Sequence, residues 1–396
     1  MNFIVKKNYI SKLSIFLAVL IAIFSAQPWF IWNSNILTLC VCAIFLISRT
    51  LLFKVVAPRY IVYSIGTCFL MYIYLFWFHA VRLDDIFSTV FTKFLPLIFI
   101  LLFSKEEKGL FIQYLTKTLS FILLISLVFF LLWALGFNLP SSTISHSASF
   151  YVRPFTNYFA FVIIDNPEYT LLTRFQSIFT EPGHLGMIVA LLLYANHYNL
   201  KDKKVWILLL SLLWSLSLAA YILLFIGIAL YILGKSINFR KSFLLLLIFM
   251  AAVVITGAVI YRVNEDSVIS KLIISRIEYD EVGGISGNNR NTADFINRYN
   301  DFLDSPDAYL GIGLKRFAEI DTAGGNSSYK CFIMQYGYVG ILVLLGFVIS
   351  IIYPRNNRLY WGFFILYLSS FIQRPYFLWE FESFLFISYL GINNNK

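Results

Sequence analysis

Residues 205–234, VWILLLSLLWSLSLAAYILLFIGIALYILG, form an almost unbroken apolar run that decides the topology of the chain. Basic residues flank the run on both sides, with Lys201, Lys203 and Lys204 before it and Lys235, Arg240 and Lys241 after it. A single membrane crossing would leave one basic cluster outside, whereas basic loops are retained in the cytoplasm. The run therefore predicts two short helices that turn near Ser215, Leu216 and Ser217 and return the chain to its starting side.

The composition of the whole chain is typical of a membrane protein. Of the 396 residues, 59% are hydrophobic and 13% are charged, whereas soluble domains are about half apolar and about one quarter charged. A spanning helix needs about 20 apolar residues, and similar runs recur along the sequence, so we predict an all-α polytopic membrane protein with about 12 transmembrane helices. The predicted spans are 13–26, 36–48, 60–78, 86–103, 118–137, 183–198, 205–217, 219–234, 242–261, 331–352, 359–373 and 376–391.

The net charge of +10, from 31 Lys and Arg against 21 Asp and Glu, follows from topology. With both termini in the cytoplasm, most basic residues fall in cytoplasmic loops and most acids fall outside, as the positive-inside rule requires. The first run resembles a signal peptide, but no convincing cleavage site follows it, so we expect it to remain as an anchor. We therefore expect no nucleic-acid partner.

Two outer connections are much longer than the others and divide the chain into five segments. Long ordered loops are usually functional, and the cytoplasmic loops are too short for a nucleotide-binding domain, so we expect the chemistry in the outer loops. The segments are N-terminal transmembrane helices at 1–137, a first extracytoplasmic loop at 138–182, central transmembrane helices with the short helix pair at 183–261, a large extracytoplasmic loop at 262–330 and C-terminal transmembrane helices at 331–396.

The first candidate site is Arg174-Phe-Gln-Ser-Ile-Phe-Thr-Glu181-Pro-Gly-His184-Leu-Gly, where the first outer loop enters the next span. Pro182 suits the first turn of a helix, where its missing N–H has no cost, so Thr180 or Glu181 falls at the helix cap. A carboxylate there complements the positive helix end, which is a purely structural role for Glu181. The alternative is a functional site, because Arg174, Glu181 and His184 supply a fixed cation, an acid and a titratable base.

The second candidate site lies in the large outer loop and combines arginines with glycine-rich turns. It comprises Gly287-Asn-Asn-Arg290, Asp304-Ser-Pro306, Gly311-Ile-Gly313, Gly324-Gly-Asn326-Ser-Ser-Tyr329 and Tyr336-Gly337-Tyr338-Val-Gly340. The glycines permit turns and close backbone approach, and the fork of an arginine suits a pyrophosphate. Arg290, Arg298 and Arg316 are therefore candidate anion ligands, although pairing with neighbouring carboxylates of the loop would explain each of them equally.

Lys93 is a lone charge within the fourth predicted span. A charge at membrane depth is costly and is a candidate functional group by default, although a lysine also reaches the interface by extending its side chain. His79, on a short outer turn, is expected to be solvated. The four cysteines form no CxxC pattern, so we expect neither a disulfide framework nor a zinc site.

On the motifs of both candidate sites, the chain resembles the O-antigen polymerase (Wzy) family of the O-antigen polymerase and ligase superfamily. RFQSIFTEPGHLG is similar to the Arg, then Phe-x-Glu-Pro pattern that this family carries at a span entrance. GNNR, SPDAYLGIG and GNSSY resemble the motif of the family's large loop. The family often has a His before the Asn of its final loop motif; Gly325 stands there before Asn326, which is closer to the polymerases than to the ligases.

The resemblance implies a GT-C-like glycosyltransferase with an undecaprenyl-diphosphate-linked oligosaccharide as substrate. Arg174, Arg290 and Lys93 would bind the diphosphate. Glu181 and His184 would be the catalytic residues near the acceptor. Further substrate contacts would come from Arg298, Arg316, Asn326 and Tyr329. The growing glycan, an O-antigen or capsular chain, would pass to a hydroxyl of the next lipid-linked repeat unit, with no cofactor and no metal.

The resemblance also implies a cellular location and partners. It places the protein in the bacterial inner membrane, with both termini cytoplasmic and the active site outside, among membrane lipids, a chain-length regulator and a flippase of the same pathway. Two other functions stay open: an O-antigen ligase, and a lipid-linked oligosaccharide flippase or other transporter. Transporters tend to have internal repeats and mid-membrane polar residues, whereas polarity here concentrates in two unequal outer loops.

Overall fold

The structure is a computed structural model, which describes residues 2–31, 40, 44, 59–80, 83–146, 153–164, 173–236, 240, 279–280, 284–285, 292–320, 329–353, 357–373 and 378–390. These residues are mostly helical. The first helices are α1 (Asn2–Ser25), α2 (Arg59–Tyr72), α3 (Leu83–Thr89), α4 (Leu95–Leu101), α5 (Lys105–Ala134), α6 (Pro182–Ala195), α7 (Lys203–Trp214) and α8 (Leu218–Lys235). The π-helical segment Ile73–Phe78 extends α2, and Val90–Phe94 joins α3 to α4.

The remaining elements are C-terminal helices and short strands. The helices are α9 (Ala293–Leu303), α10 (Asp307–Leu310), α11 (Gly313–Ile320), α12 (Tyr329–Ile352), α13 (Arg358–Gln373) and α14 (Glu380–Tyr389). Strands β1 (Ser142–His146), β2 (Arg153–Asn157) and β3 (Val162–Ile164) form an antiparallel sheet in that order, and β4 (Tyr279–Asp280) pairs with β5 (Gly284–Ile285).

The predicted spans that the structure describes all contain helix, and four helices among the described residues are long and apolar enough to cross a membrane. These four are Ile61–Phe78, Lys105–Ala134, Leu218–Lys235 and Tyr329–Ile352. Predicted spans 36–48 and 242–261 lie outside the described residues, apart from Cys40 and Ile44. The helices indicate a multi-pass membrane protein, while the twelve crossings stay a prediction.

The start of α5 differs from the prediction of a span at 118–137, because the helix already begins at Lys105. The Glu107 carboxylate accepts from the Ser104 N–H, and the Glu107 N–H donates to the Ser104 hydroxyl, which is a capping box. The Lys108 ammonium donates to the Leu101 carbonyl at the end of α4. Local capping therefore extends the helix through residues whose charge suggested a loop.

The prediction of an all-α fold is incomplete, because residues 142–164 of the first outer loop contain the three-stranded sheet. Phe155 lies opposite Ile144 on one side and Ile164 on the other, and it is buried. Each strand has at most five residues, so its alternation of apolar and polar residues is too short to indicate a strand.

The predicted helix pair is confirmed, with α7 and α8 joined by residues 215–217. Asp202 caps α7 by accepting from the Lys204 N–H at 3.0 Å, and Leu216 adopts a positive φ of 44° within the turn. α6 packs closely against α8, because a Cβ on Gly186 would overlap the Cβ of Ala220. Gly186, the last residue of the first motif, therefore has a packing role.

The contacts divide the chain into two compact units. Unit 1 comprises residues 1–119, 295–356 and 370–396, and unit 2 comprises residues 120–294 and 357–369. The first candidate site belongs to unit 2. Lys93 and the described part of the second candidate site beyond residue 294 belong to unit 1.

In unit 1, the segment that precedes α11 lies against a kink in α12. Gly337 has φ 66° and ψ −174° inside α12, and Gly311 has φ 82°. A Cβ on Gly311 would overlap the Gln335 carbonyl, and one on Gly337 would overlap the Tyr309 carbonyl. The two backbones meet with no room for a side chain, which confirms the prediction that these glycines permit close approach.

Hydrogen bonds hold the two glycine segments together. The Ile312 N–H donates to the Met334 carbonyl at 2.9 Å. The Tyr74 hydroxyl reaches both segments, because it lies 2.9 Å from the Leu310 carbonyl and 3.0 Å from the Tyr336 carbonyl. The kink is therefore stabilised by partners that satisfy the carbonyls beside it.

Gly337→Ala is expected to lower the free energy of unfolding by at least about 1–2 kcal/mol, because alanine is strained at a positive φ and its Cβ overlaps the Tyr309 carbonyl. The matched control is Gly346→Ala in the same helix, where a Cβ meets no atom within 4 Å. The control should keep or slightly raise stability. Equal thermal unfolding midpoints for the two variants in one detergent would contradict the close approach.

Candidate functional site

Residues 173–181 lead into α6 and contain the first candidate site. They form neither helix nor strand, yet residues 175–180 are buried. The Phe175 N–H donates to the Trp214 carbonyl at 3.0 Å, and the Ser177 carbonyl accepts from the Val162 N–H at 2.9 Å. The β3 strand and the end of α7 thus supply the hydrogen bonds that a buried irregular backbone requires.

Side chains of α5 and the sheet support this segment. The Phe130 ring lies 5.2 Å from the Phe175 ring and 5.6 Å from the Phe161 ring. The hydroxyls of Ser126 and Ser177 are 2.7 Å apart, and Ser177 has a positive φ of 54°. A non-glycine residue in this backbone region is strained, so the surrounding packing fixes the path of the segment.

Arg174 is held at the turn between α7 and α8. Its Nε donates to the Ser215 carbonyl at 3.2 Å, and the Ser215 hydroxyl donates to the Leu212 carbonyl at 2.6 Å. Arg174 itself is partly exposed. The turn of the predicted helix pair therefore orients the guanidinium of Arg174 in the first motif.

His184 lies between Thr180 and Glu181. The Thr180 hydroxyl is 3.0 Å from His184 Nδ1, and Glu181 Oε2 is 4.0 Å from His184 Nε2. The imidazole is 8% exposed and the Glu181 side chain is 37% exposed. If Nδ1 carries the proton and donates to Thr180, then Nε2 is a base that faces Glu181; the opposite tautomer makes Nε2 a donor.

Glu181 is the N-cap residue of α6, and Pro182 follows in the first turn, as predicted. The Glu181 side chain, however, makes no capping hydrogen bond to the helix. A capping carboxylate would accept from the N–H groups of the first turn. The carboxylate instead stands partly exposed beside His184, which favours the functional interpretation of Glu181 over the capping one.

Lys93 has a carboxylate partner in the structure. Its ammonium lies 3.0 Å and 3.2 Å from the two carboxylate oxygens of Glu380. The Lys93 side chain is 32% exposed and that of Glu380 is 2% exposed. Because Glu380 already neutralises the ammonium, the pair favours a structural role for Lys93, and its role as a diphosphate ligand stays a prediction.

The second candidate site is described only in part. Arg290 and Asn326 lie outside the described residues. Arg316 pairs with Asp307 at 2.9 Å, and both side chains are exposed, which is the pairing that would explain this arginine without an anion. Arg298 is exposed on α9.

Tyr329, at the start of α12, lies beside Tyr299. Burial, followed by the nearby Tyr329, Tyr338 and Cys331, raises the pKa of Tyr299 to about 12. The Lys330 ammonium lies 5.2 Å from the centre of the Tyr299 ring. Tyr299 belongs to an apolar cluster through which α9 packs on α12, so Tyr329 lies at the edge of a packed core.

His79 is not solvated, which corrects the prediction made from its position on a short turn. It is 8% exposed. Its ring packs edge-on against Tyr74, Phe78 and Tyr336 at 5.1–5.3 Å, and burial lowers the pKa of its imidazole. Sequence reasoning missed this contact because Tyr336 is remote from His79 in the chain.

Comparison of the chain with protein-family models, with curated proteins and with solved structures found no match. The resemblance to O-antigen polymerases therefore stands on the motifs alone.

Lys93→Met is expected to lower the free energy of unfolding by about 3 kcal/mol. This value is at the lower end of the cost of breaking a buried ion pair, because Lys93 is partly exposed. The change leaves the Glu380 carboxylate buried without its cation. Lys93→Met combined with Glu380→Met should recover most of this loss, as measured by chemical unfolding. A single variant as stable as the wild type would contradict the ion pair. A stable but inactive double variant would support the diphosphate role of Lys93.

Glu181→Ala is expected to change the free energy of unfolding by less than about 0.5 kcal/mol, because no capping bond is lost. The matched control is Asp202→Ala, which removes a real capping bond from α7 and should cost about 1 kcal/mol. Activity should show the reverse order, with loss for Glu181→Ala and retention for Asp202→Ala. A clear stability loss in Glu181→Ala would restore the capping interpretation.

Proposed function

We propose that the protein is a polysaccharide polymerase that transfers a growing O-antigen or capsular glycan from undecaprenyl diphosphate to the next lipid-linked repeat unit. The reaction takes place on the outer side of the bacterial inner membrane and uses neither a nucleotide sugar nor a cofactor. The proposal agrees with the multi-pass helical architecture.

The observation that carries the proposal is the arrangement of Arg174, Glu181 and His184 on one supported segment before a helix N-terminus. The guanidinium of Arg174 is anchored by a backbone carbonyl, and the N-terminus of α6 adds a favourable dipole for an anion. The partly exposed carboxylate of Glu181 lies against a buried imidazole. Transfer of a glycan from a diphosphate requires these groups: a cation, a helix N-terminus and an acid–base pair.

Each of these groups has a role in the proposed reaction. Arg174 stabilises the negative charge that develops on the departing diphosphate, an electrostatic contribution of a few kcal/mol for each positioned group. Glu181 or His184 accepts the proton of the attacking sugar hydroxyl. The two groups are 4.0 Å apart, so the charge of one changes the basicity of the other. Thr180 orients the imidazole through Nδ1.

Arg290 completes the diphosphate site in this proposal, with Arg298, Arg316, Asn326 and Tyr329 as further substrate contacts. The support for Arg290 is its motif, which precedes the glycine segment at Gly311. Exposed Arg298 and Tyr329 remain accessible to a glycan in unit 1. The chain-length regulator and the flippase would act with the protein in the same membrane.

Arg174→Lys and Arg290→Lys are each expected to shorten the glycan nearly as much as the alanine variants, because lysine keeps the charge but loses the two-pronged geometry. The assay is the glycan ladder of a deletion strain that expresses each variant, with the membrane fraction quantified. Arg358→Lys, an exposed arginine at the start of α13, is the matched control and should give wild-type chain lengths. Wild-type ladders from both site variants would reject the diphosphate role.

The deletion strain itself separates the candidate functions. Loss of a polymerase leaves one repeat unit attached to the acceptor, whereas loss of a ligase leaves no glycan there. Loss of a flippase instead strands lipid-linked units on the cytoplasmic side. A strain with normal ladders would reject all three functions.

The transporter is the second candidate, because ionisable groups are buried in unit 1 as well as exposed in the outer loops. Lys93, Glu380 and Glu382 lie in predicted spans, and the two glutamates are buried. Buried ionisable groups at membrane depth are frequent in transport pathways. Stranding of lipid-linked units inside the deletion strain would favour this candidate.

A further inference from the structure

The helix α14 carries two buried carboxyl groups that face different neighbours. Glu380 and Glu382 are two positions apart, which places their side chains about 200° apart around a helix. Glu380 pairs with Lys93. Glu382 instead contacts Ser370 of α13, whose hydroxyl donates to Glu382 Oε2 at 3.1 Å.

Glu382 has no cationic partner among the described residues. Its side chain is buried, and its second oxygen, Oε1, has no hydrogen-bond partner there. The ion pairs of the described residues do not include Glu382. The hydrogen bond from Ser370 is thus the polar contact of Glu382 within the described part of the chain.

Among the side chains that the structure describes, the elements around α14 bring no further charge to Glu382. α14 packs against α1 and α4, and it also meets Ser370 of α13 and Phe111 of α5. Lys93 is engaged by Glu380, Lys108 by the Leu101 carbonyl, and Glu107 by Ser11 and Ser104. The exposed charged residues of α1, α5 and α13 are Lys12, Lys105, Glu106, Lys117 and Arg358. Lys6, Lys7 and Arg374 have side chains outside the described set.

An ionised carboxylate in such surroundings would lose its hydration and gain only one neutral hydroxyl in return. The free energy of hydration that is lost far exceeds the free energy gained from one neutral hydrogen bond. Buried acids without a cation therefore take up a proton. Glu380 has the Lys93 ammonium as a partner of opposite charge, whereas Glu382 has no such partner among the described residues. The two acids of one helix turn therefore lie in different electrostatic surroundings.

We propose that Glu382 is a proton-binding site within unit 1, at which the carboxylate binds one proton and is a neutral carboxylic acid at physiological pH. The ligand is the proton, and Ser370 orients the group that holds it. The site goes beyond the proposed glycosyl transfer, which uses neither acid of α14.

The test is an infrared difference spectrum between the full-length wild type and Glu382→Gln, both in lipid nanodiscs at neutral pH. The wild type should show the carbonyl band of a protonated carboxylic acid, shifted by deuterium oxide and absent from Glu382→Gln. The matched control is Glu380→Gln, which should lose a carboxylate band instead. The proposal would be overturned if Glu382→Gln lost a carboxylate band instead, or if its spectrum lost no band at all.

Stability gives a second readout. Glutamine matches a protonated glutamate in shape and charge, so Glu382→Gln should keep the wild-type unfolding midpoint within about 2 °C, whereas Glu380→Gln should lower it by more. A large decrease of the unfolding midpoint in Glu382→Gln would contradict a neutral acid at this position. If that variant fails to insert, the same spectrum is taken with Glu382→Met. Neither readout needs a substrate, so failure of the proposed function leaves this test unaffected.

Discussion

The hydrogen bonds between residues 173–181 and their neighbours are the interactions on which the first candidate site depends. Most of the chain is apolar, so a buried irregular backbone finds its partners in the protein rather than in water. The Phe175 N–H and the Ser177 carbonyl find them in the end of α7 and in β3. The same contacts bring Arg174 to the α7–α8 turn. The same packing therefore supplies the backbone hydrogen bonds of residues 173–181 and orients the guanidinium of Arg174.

Local chemistry explains what the sequence predicts correctly. The apolar runs predict most helices, the basic residues around residues 205–234 predict the turn at 215–217, and Pro182 predicts the start of α6. The three-stranded sheet was missed because strands of three to five residues carry too little alternation. The early start of α5 was missed because a capping box and a lysine that bonds the preceding helix outweigh the charges of the segment.

Long-range partners explain what sequence reasoning cannot reach. Glu380 is 287 positions from Lys93, and Tyr336 is also far from His79 in the chain, so no local pattern indicates either contact. The glycine motifs correctly indicate close approach, because a Cβ at Gly311 or Gly337 would overlap the facing backbone. The arginines of the same loop are ambiguous in sequence, since a carboxylate and a diphosphate both suit a guanidinium. Arg316 has Asp307, whereas Arg290 stays a prediction.

Exposure separates the polar groups that a substrate could reach from those that hold the fold. A catalytic carboxylate has to be accessible, and Glu181 is 37% exposed beside a buried imidazole. Glu380 is buried against its cation, and Glu382 is buried against a hydroxyl. Both of these acids lie where no glycan could reach them without displacing packed side chains. These acids therefore have different physical tasks: Glu380 pairs with a cation inside the protein, Glu382 holds a proton there in the proposal above, and Glu181 presents a partly exposed carboxylate beside α6.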